Sequence, residues 1–323
     1  MTRVAAIDCG TNSIRLLVAD VDAQGPGGRP RLTDLTRQMR IVRLGQGVDR
    51  TGLLDPAAID RAVEAAVEYA RMIEALGAER IRFVATSATR DARNRQDFVD
   101  KITAVLGTAP EVVEGTEEAS LSFAGAVAGL GDDVEAPMLV VDIGGGSTEL
   151  VLGSDAVEQA VSVDMGAVRV TEKFLAGCDP DQPIPADVRA GAAEWIDEQL
   201  DRAERTVDLP RVRSLVGVAG TVTTLTAQAL GLSSYQPERI HSARLSPDEI
   251  DEAVRFMLDQ PVAVKAALGF MPAGREDVIA AGSLIWSRIV TRVIDRAASA
   301  GTSIDRVVTS EHDILDGIAL SMA

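Results

Sequence analysis

Two apolar runs near the N-terminus, 4–7 and 14–21, flank the small and polar residues Asp8-Cys9-Gly10-Thr11-Asn12-Ser13. Runs of β-branched and leucine side chains bounded by Gly and Asn predict a strand, a tight turn and a returning strand. Gln24-Gly25-Pro26-Gly27-Gly28-Arg29-Pro30 reads as the tip of a hairpin into a third strand over 32–44, which completes a β-meander. Asp55-Pro56 supplies an N-cap and a first-turn proline. Ile59, Val63, Val67, Ala70 and Ile73 then recur at helical spacing until Gly77, so a helix is expected to pack on the sheet. Residues 81–85 predict a buried strand ending in the polar tip Thr86-Ser87-Ala88-Thr89-Arg90-Asp91, and 111–113 a short strand before Thr116 as N-cap of a further helix.

The same design returns after Gly129-Leu130-Gly131-Asp132-Asp133, which reads as a linker. Leu139-Val140-Val141-Asp142-Ile143 enters the turn Gly144-Gly145-Gly146-Ser147, and Thr148-Glu149-Leu150-Val151 leaves it. Asp8 matches Asp142 and Gly10 matches Gly144, and the interval between the copies is of domain size, so the chain reads as an internal duplication. A site between two such hairpins would face both carboxylates. Residues 157–163 continue the second meander, and Pro183 to Pro185 open an amphipathic helix through Trp195, Ile196 and Leu200. Residues 215–218 give a strand, Ala219-Gly220 a turn and Thr221 a helix start. Residues 276–298 read as a buried helix, 304–308 as a last strand and 313–322 as a last helix returning to the first domain.

Composition narrows the class. The chain has 323 residues, 46% hydrophobic and 25% charged, which suits two α/β domains; aromatics are scarce at 3%, so aliphatic side chains build the cores. A formal net charge of −17 argues against nucleic acid or an anionic membrane as partner, and an anionic substrate would need a cation or local arginines. Two cysteines are too few for a disulfide framework, and no leader or long apolar span is visible, so the cytoplasm is the expected location. Cys9 reads as a small buried hydrophobe rather than a catalytic thiol. His241 and His312 are isolated, without zinc spacing, and read as structural.

The chemistry suggested by the residues themselves is that of phosphate. A three-glycine turn leaves backbone N–H groups bare to close around phosphate oxygens, while Asp142 and Glu149 can hold a divalent cation against them. Other positions carry two readings each. Arg90 holds a phosphate, or is a surface arginine paired with Asp91. Glu117 and Glu118 complement the dipole of their helix, or one of them is a general base for an attacking water. Gly220 and Thr221 form an anion site at a helix N-terminus, or a turn required by close packing.

The order of motifs, Asp8 to Ser13, then Thr116-Glu117-Glu118-Ala119, then Asp142 to Glu149, then Gly217-Val218-Ala219-Gly220-Thr221, resembles the exopolyphosphatase and guanosine pentaphosphate phosphohydrolase family. That family belongs to the actin-like, sugar-kinase-like superfamily. The resemblance spans nearly the whole chain. It implies two RNase-H-like (actin-like ATPase) domains with the active site in the interdomain cleft. The expected domains are 1–130, with 306–323 packing back on it, and 131–305. It also implies Glu118 as catalytic base, Asp142 and Glu149 as catalytic acids holding Mg2+ and water, and Asp8 as a further metal residue. Asn12, Ser13, Arg90, Gly144, Gly145, Gly146, Ser147, Gly220 and Thr221 match phosphate-binding positions, and Arg15 is a further candidate for the terminal phosphate. A homodimer is frequent in the family, and the apolar C-terminal segments serve either such an interface or the core of one chain.

The implied reaction is release of terminal phosphate from inorganic polyphosphate by in-line attack of water. Longer relatives carry extra C-terminal helical domains; their absence here leads us to expect short chains as preferred substrates, with weak processivity. Leu315 stands where the family's more usual Gly-Leu-Arg-Glu-Gly pattern has arginine, so that arginine's phosphate contact is not expected. Other readings stay open: hydrolysis of the 5'-terminal phosphate of pppGpp, a nucleotide of the stringent response; a non-hydrolytic module that binds a nucleotide or polyphosphate; and a kinase using the same loops.

Overall fold

The computed structural model describes residues 1–25, 30–131 and 134–323. The expected hairpin tip at 26–29 and the Asp132-Asp133 part of the expected linker lie outside the described residues. The chain divides into two compact units, one formed by Met1–Ala128 with His312–Ala323 and the other by Gly129–Glu311.

In the first unit β1 (Thr2–Cys9), β2 (Ser13–Asp22), β3 (Arg31–Ile41), β4 (Arg80–Ala85) and β5 (Glu111–Val112) form a sheet in the order β3-β2-β1-β4-β5. β1 runs antiparallel to β2 and parallel to β4. The apolar run of β1 is continuous because both faces are covered. Ala5, Ile7 and Cys9 pack into one core with the helix Pro56–Leu76, Phe83 and Phe98, while Val4 and Ala6 pack into another with Leu121, Ile314 and Ile318. Asp55 caps Pro56–Leu76 by accepting from the Ala57 amide at 2.7 Å, and Gly77 ends it at φ 70°. Its buried stripe is Ile59, Ala62, Ala66, Tyr69 and Ile73; of the other expected positions Val63 packs half-buried against the same core, while Val67 and Ala70 are half-buried outside it. Alanines let the helix approach the sheet closely, and the buried Tyr69 hydroxyl donates to the Ile14 carbonyl at 3.0 Å. The third strand stops at Ile41, short of the expected 44, because 42–45 bend back onto the first turn.

The helix Gly115–Gly129 starts two residues earlier than Thr116 as N-cap requires, since the Glu114 carbonyl accepts from both the Glu117 and Glu118 amides at 3.0 Å. The C-terminal helix Ile314–Leu320 crosses it backbone to backbone. A Cβ on Gly125 would lie 1.8 Å from the Asp313 carbonyl oxygen, and one on Gly317 would lie 1.9 Å from that of Leu121. Leu315, 1% exposed, is part of this core and offers nothing to a phosphate. The segment expected to return from 306 does so only from His312, because the strand Val307–Thr309 pairs in the other sheet through Val308 and Thr309.

The second unit contains β6 (Met138–Ile143), β7 (Thr148–Gly153), β8 (Val157–Val163), β9 (Ser214–Val218), β10 (Arg244–Leu245) and β11 (Val307–Thr309), in the order β10-β11-β9-β6-β7-β8. β6 is antiparallel to β7 and parallel to β9, as β1 is to β2 and β4. The duplicated meander is therefore a duplicated sheet. The helix expected to be buried, Ile279–Ser299, is buried on one side, with Ile285, Trp286, Ile289 and Val293 in the core. On its other side Arg288, Arg292 and Arg296 pair with Asp197 and Glu204 of Ala186–Ala203 and its C-cap.

Two stability predictions follow from the C-terminal helix. Gly125→Ala or Gly317→Ala forces the crossing backbones apart and is expected to cost at least about 1–3 kcal/mol in urea unfolding, the usual range for overpacking. At the helix start, His312 Nδ1 lies 2.7 Å from Asp316 Oδ1, and that carboxylate holds the imidazole's pKa above its ordinary value, against burial and the nearby Arg37. The contribution of this pair is complete below the unfolded histidine value, about 6.5, and is lost as pH rises through the raised folded value. His312→Gln is therefore expected to flatten the fall in unfolding midpoint between about pH 6 and pH 8; an unchanged slope would remove His312 as its source.

Candidate active site

Each hairpin turn is closed by the same hydrogen bond. The Gly10 amide donates to the Ser13 carbonyl at 2.9 Å and the Gly144 amide to the Ser147 carbonyl at 3.0 Å. In the second unit the carbonyls of Gly144, Gly145 and Gly146 all face the segment after β8. Gly144 accepts from the Ala167 amide and Gly145 from that of Val168, both at 2.9 Å; Gly146 accepts from Arg169 Nε at 2.8 Å. Because C=O and N–H point oppositely in a trans peptide, the amides of Gly145, Gly146 and Ser147 are turned the other way, onto one side. Three such donors make an anion-binding concavity. In the first unit Thr11 accepts from the Gly45 amide at 2.8 Å and Asn12 from those of Val42 and Arg43 at 2.9 Å, which turns the Asn12 and Ser13 amides likewise.

The residues that set these turns, Gly45, Gly166 and Arg169, were missed in the sequence. A Cβ on Gly166 would sit 2.3 Å from the Gly145 carbonyl, and one on Gly45 would sit 2.4 Å from Thr11 Cγ2. The available signal was a glycine three or four residues beyond the third strand of each meander.

Asp142 and Glu149 are direct partners in the β6–β7 ladder, so their side chains share a face. They are 7% and 1% exposed, and Ser162 Oγ donates to Glu149 Oε1 at 2.7 Å. Two buried carboxylates side by side repel unless a cation joins them. Oxygen donors suit Mg2+, which commonly takes one or two carboxylates and fills its other positions with water and substrate phosphate. The two carboxylates on one face fit that smaller requirement, while among the described residues no group of three or more His, Cys, Asp or Glu could hold a metal ion.

In the first unit the same ladder position sets Asp8 opposite Arg15. Arg15 donates from Nε and Nη2 to Asp8 Oδ2, at 2.9 and 2.7 Å, and from Nη1 to Asp313 Oδ2. Burial, with Asp8 nearby, pushes the Cys9 thiol well up, so it stays protonated and inert, as its reading as a buried hydrophobe expects.

Glu117 and Glu118, adjacent in sequence, part company in space. Glu117 pairs with Arg82 at 2.7 Å and is half exposed, whereas Glu118 is 8% exposed and accepts from Arg90 Nη1 at 3.1 Å. Arg90, on the short helix Ser87–Asp91 after β4, also donates to the Val113 carbonyl at 2.9 Å, so the segment between β5 and the helix Gly115–Gly129 holds the guanidinium beside the Glu118 carboxylate. In the third loop Ala219, at φ 64°, opens the helix Ala219–Ala229. The Gly220 carbonyl accepts from Thr224 Oγ1 at 2.6 Å and from Arg275 Nη1 at 3.2 Å. The Arg275 guanidinium lies against the Gly220 Cα, where a Cβ would come within 2.3 Å of it. Arg275 was likewise missed, since nothing in the local pattern around Gly274 marks it.

Duplicated sheets of RNase-H-like order, each carrying an acid near the end of its first strand before a glycine-containing turn, define the actin-like fold class. Within that class the chain belongs to the Ppx/GppA phosphatase family, whose pattern matches residues 17–308. It is 46% identical to Exopolyphosphatase 2 of Mycobacterium tuberculosis, over 100% of this chain and 99% of that one. The crystal structure of an exopolyphosphatase-like protein matches with a TM-score of 0.93 and 43% identity, covering 100% of this chain and 98% of the other. The Aquifex aeolicus member of the Ppx/GppA family matches with a TM-score of 0.77 and 26% identity, covering 99% and 97%. No helix among the described residues is long and apolar enough to cross a membrane.

Gly166→Ala tests the role of the turn. Its Cβ displaces Gly145, so phosphate release is expected to fall at least tenfold while the circular dichroism spectrum is unchanged. Retained activity would show that the turn's shape does not matter.

Proposed function

We propose that this phosphatase is an exopolyphosphatase, removing the terminal phosphoryl group of inorganic polyphosphate as orthophosphate. The carrying observation is the pairing of Asp142 with Glu149 across the ladder, beside a turn that aims the amides of Gly145, Gly146 and Ser147 to one side. The full-length similarity to a relative that bears the name exopolyphosphatase supports the substrate class.

In this reading Asp142 and Glu149 would hold Mg2+. When bound there, the ion offsets charge on the phosphoryl oxygens as it builds up. The amides of the Gly144–Ser147 turn, of Asn12 and Ser13, and the Gly220-Thr221 loop bind phosphate oxygens. Glu118 accepts a proton from water, whose oxygen bonds to phosphorus as the bridging P–O bond breaks. The shortened chain leaves with the electron pair of that bond. Arg90 positions Glu118 and supplies positive charge next to the base.

Phosphate release from short polyphosphate, long polyphosphate and pppGpp, with Mg2+ or chelator, tests the reading. Wild type is expected to release phosphate from polyphosphate only with the divalent cation, and Glu118→Ala to lower kcat by roughly 10²–10⁴ with little change in KM. Binding without release from any of these compounds would overturn the hydrolytic reading, and release from pppGpp alone would overturn the choice of substrate.

A further inference from the structure

The chain enters the second unit at Gly129 and leaves it at Glu311. One imidazole meets both residues, although they stand 112 and 70 positions from it in sequence. His241 Nε2 lies 2.9 Å from the Gly129 carbonyl oxygen, and Nδ1 accepts from the Glu311 amide at 3.3 Å. Because the Glu311 N–H can only donate, Nδ1 keeps its lone pair; the ring proton sits on Nε2 and is donated to Gly129. Gly129 also ends the helix Gly115–Gly129, whose last carbonyls have no partner within the helix, so the imidazole serves as its C-terminal cap.

The backbone that carries this ring is fixed on both sides. Before it, Ile240 closes the short helix Pro237–Ile240 and is fully buried in the core of the unit. After it, Ser242 takes φ 61°, a conformation uncommon for a residue other than glycine. Its amide donates to the Thr309 carbonyl at 2.8 Å, and the Thr309 amide donates to the Ala243 carbonyl at 2.9 Å, which seats this bend on the end of β11 just before the chain leaves. At the other end of the short helix, the Tyr235 hydroxyl donates to Glu311 Oε1 at 2.6 Å. Glu311 is thus held through its amide by His241 and through its carboxylate by Tyr235.

A histidine with both nitrogens engaged is ordinarily no more than a satisfied ring. Here its two partners are the first and last residues of the unit, and a second side chain of the same segment holds the last one. From this placement we infer that the segment 235–241 is a latch: His241 fastens the entry of the second unit to its exit through a single ring, and Tyr235 secures the exit. Both are positioning residues that act through Glu311. Only His312 separates Glu311 from Asp313, the N-cap of Ile314–Leu320 and a partner of Arg15, so the latch sets where the returning segment starts.

Hydrogen–deuterium exchange of the full chain, read by mass spectrometry, tests the latch without turnover, and its outcome is therefore independent of the substrate. His241→Ala is expected to speed exchange about tenfold at both 310–312 and 127–131, as the loss of one hydrogen bond of ordinary net strength at each would do. An asparagine carbonyl oxygen stands close to the place of Nδ1, and a glutamine amide nitrogen close to that of Nε2. His241→Asn is therefore expected to bring 310–312 back to within about twofold of wild type while 127–131 stays fast, and His241→Gln to do the reverse. Tyr235→Phe is expected to speed 310–312 alone. Should His241→Ala not fold, the opposite responses of the asparagine and glutamine variants decide the matter by themselves. A ring that merely fills space would give those two variants the same exchange at both segments; that result, or wild-type rates in His241→Ala, would overturn the inference.

Discussion

A carboxylate at the inner end of a central strand cannot be left alone. Asp8 and Asp142 each lie one residue from the end of a strand that is largely buried; the parallel ladder sets an apolar partner beside each, Val84 and Val218, and the antiparallel ladder sets a charged one. Much else in the fold answers this requirement. The ladder brings Arg15 to Asp8 directly, and the C-terminal helix brings Asp313 to Arg15. For Asp142 the ladder brings a second acid, Glu149, so the two carboxylates share one face of the sheet. A phosphatase needs such a place, where a cation and an anionic substrate stabilise one another.

The same reasoning explains why the C-terminal helix belongs to the first unit although 183 residues of the second unit separate them (311 − 129 + 1). Its glycine crossing with Gly115–Gly129 brings the backbones into direct contact, and its first turn carries three groups that end on the meander's arginines or on one another. Packing, capping and charge thus act on one short segment. The paired glycines Gly45 and Gly166 do comparable work at the turns, where absence of a side chain lets a following segment draw the carbonyls to one side.

Much of the fold could be read from local signals. The meanders, the helix between Asp55 and Gly77 and the repeated Asp-turn unit follow from runs, caps and glycines that act within a few residues. So did the candidate acids, because Asp142 and Glu149 flank one turn and antiparallel pairing brings them together. The separation of Glu117 from Glu118 was not legible, since both sit in a first helical turn and only the positions of Arg82 and Arg90 distinguish them. Arg275 against Gly220, and Asp313 against Arg15, are contacts between segments 55 and 298 residues apart, for which a single sequence has no periodicity. The inward face of Pro56–Leu76 was legible at Ile59, Val63 and Ile73 but not at Ala62 and Ala66, because valines outrank alanines in hydrophobicity whereas the close approach to the sheet selects the smaller residue.

The most direct test of the central claim is a 31P NMR time course on polyphosphate of one defined length with the wild-type protein and Mg2+. Exopolyphosphatase action predicts that orthophosphate is the only new small product from the first minutes, while the parent chain shortens one unit at a time. Internal fragments without orthophosphate, or a spectrum that does not change while the substrate is bound, would contradict it.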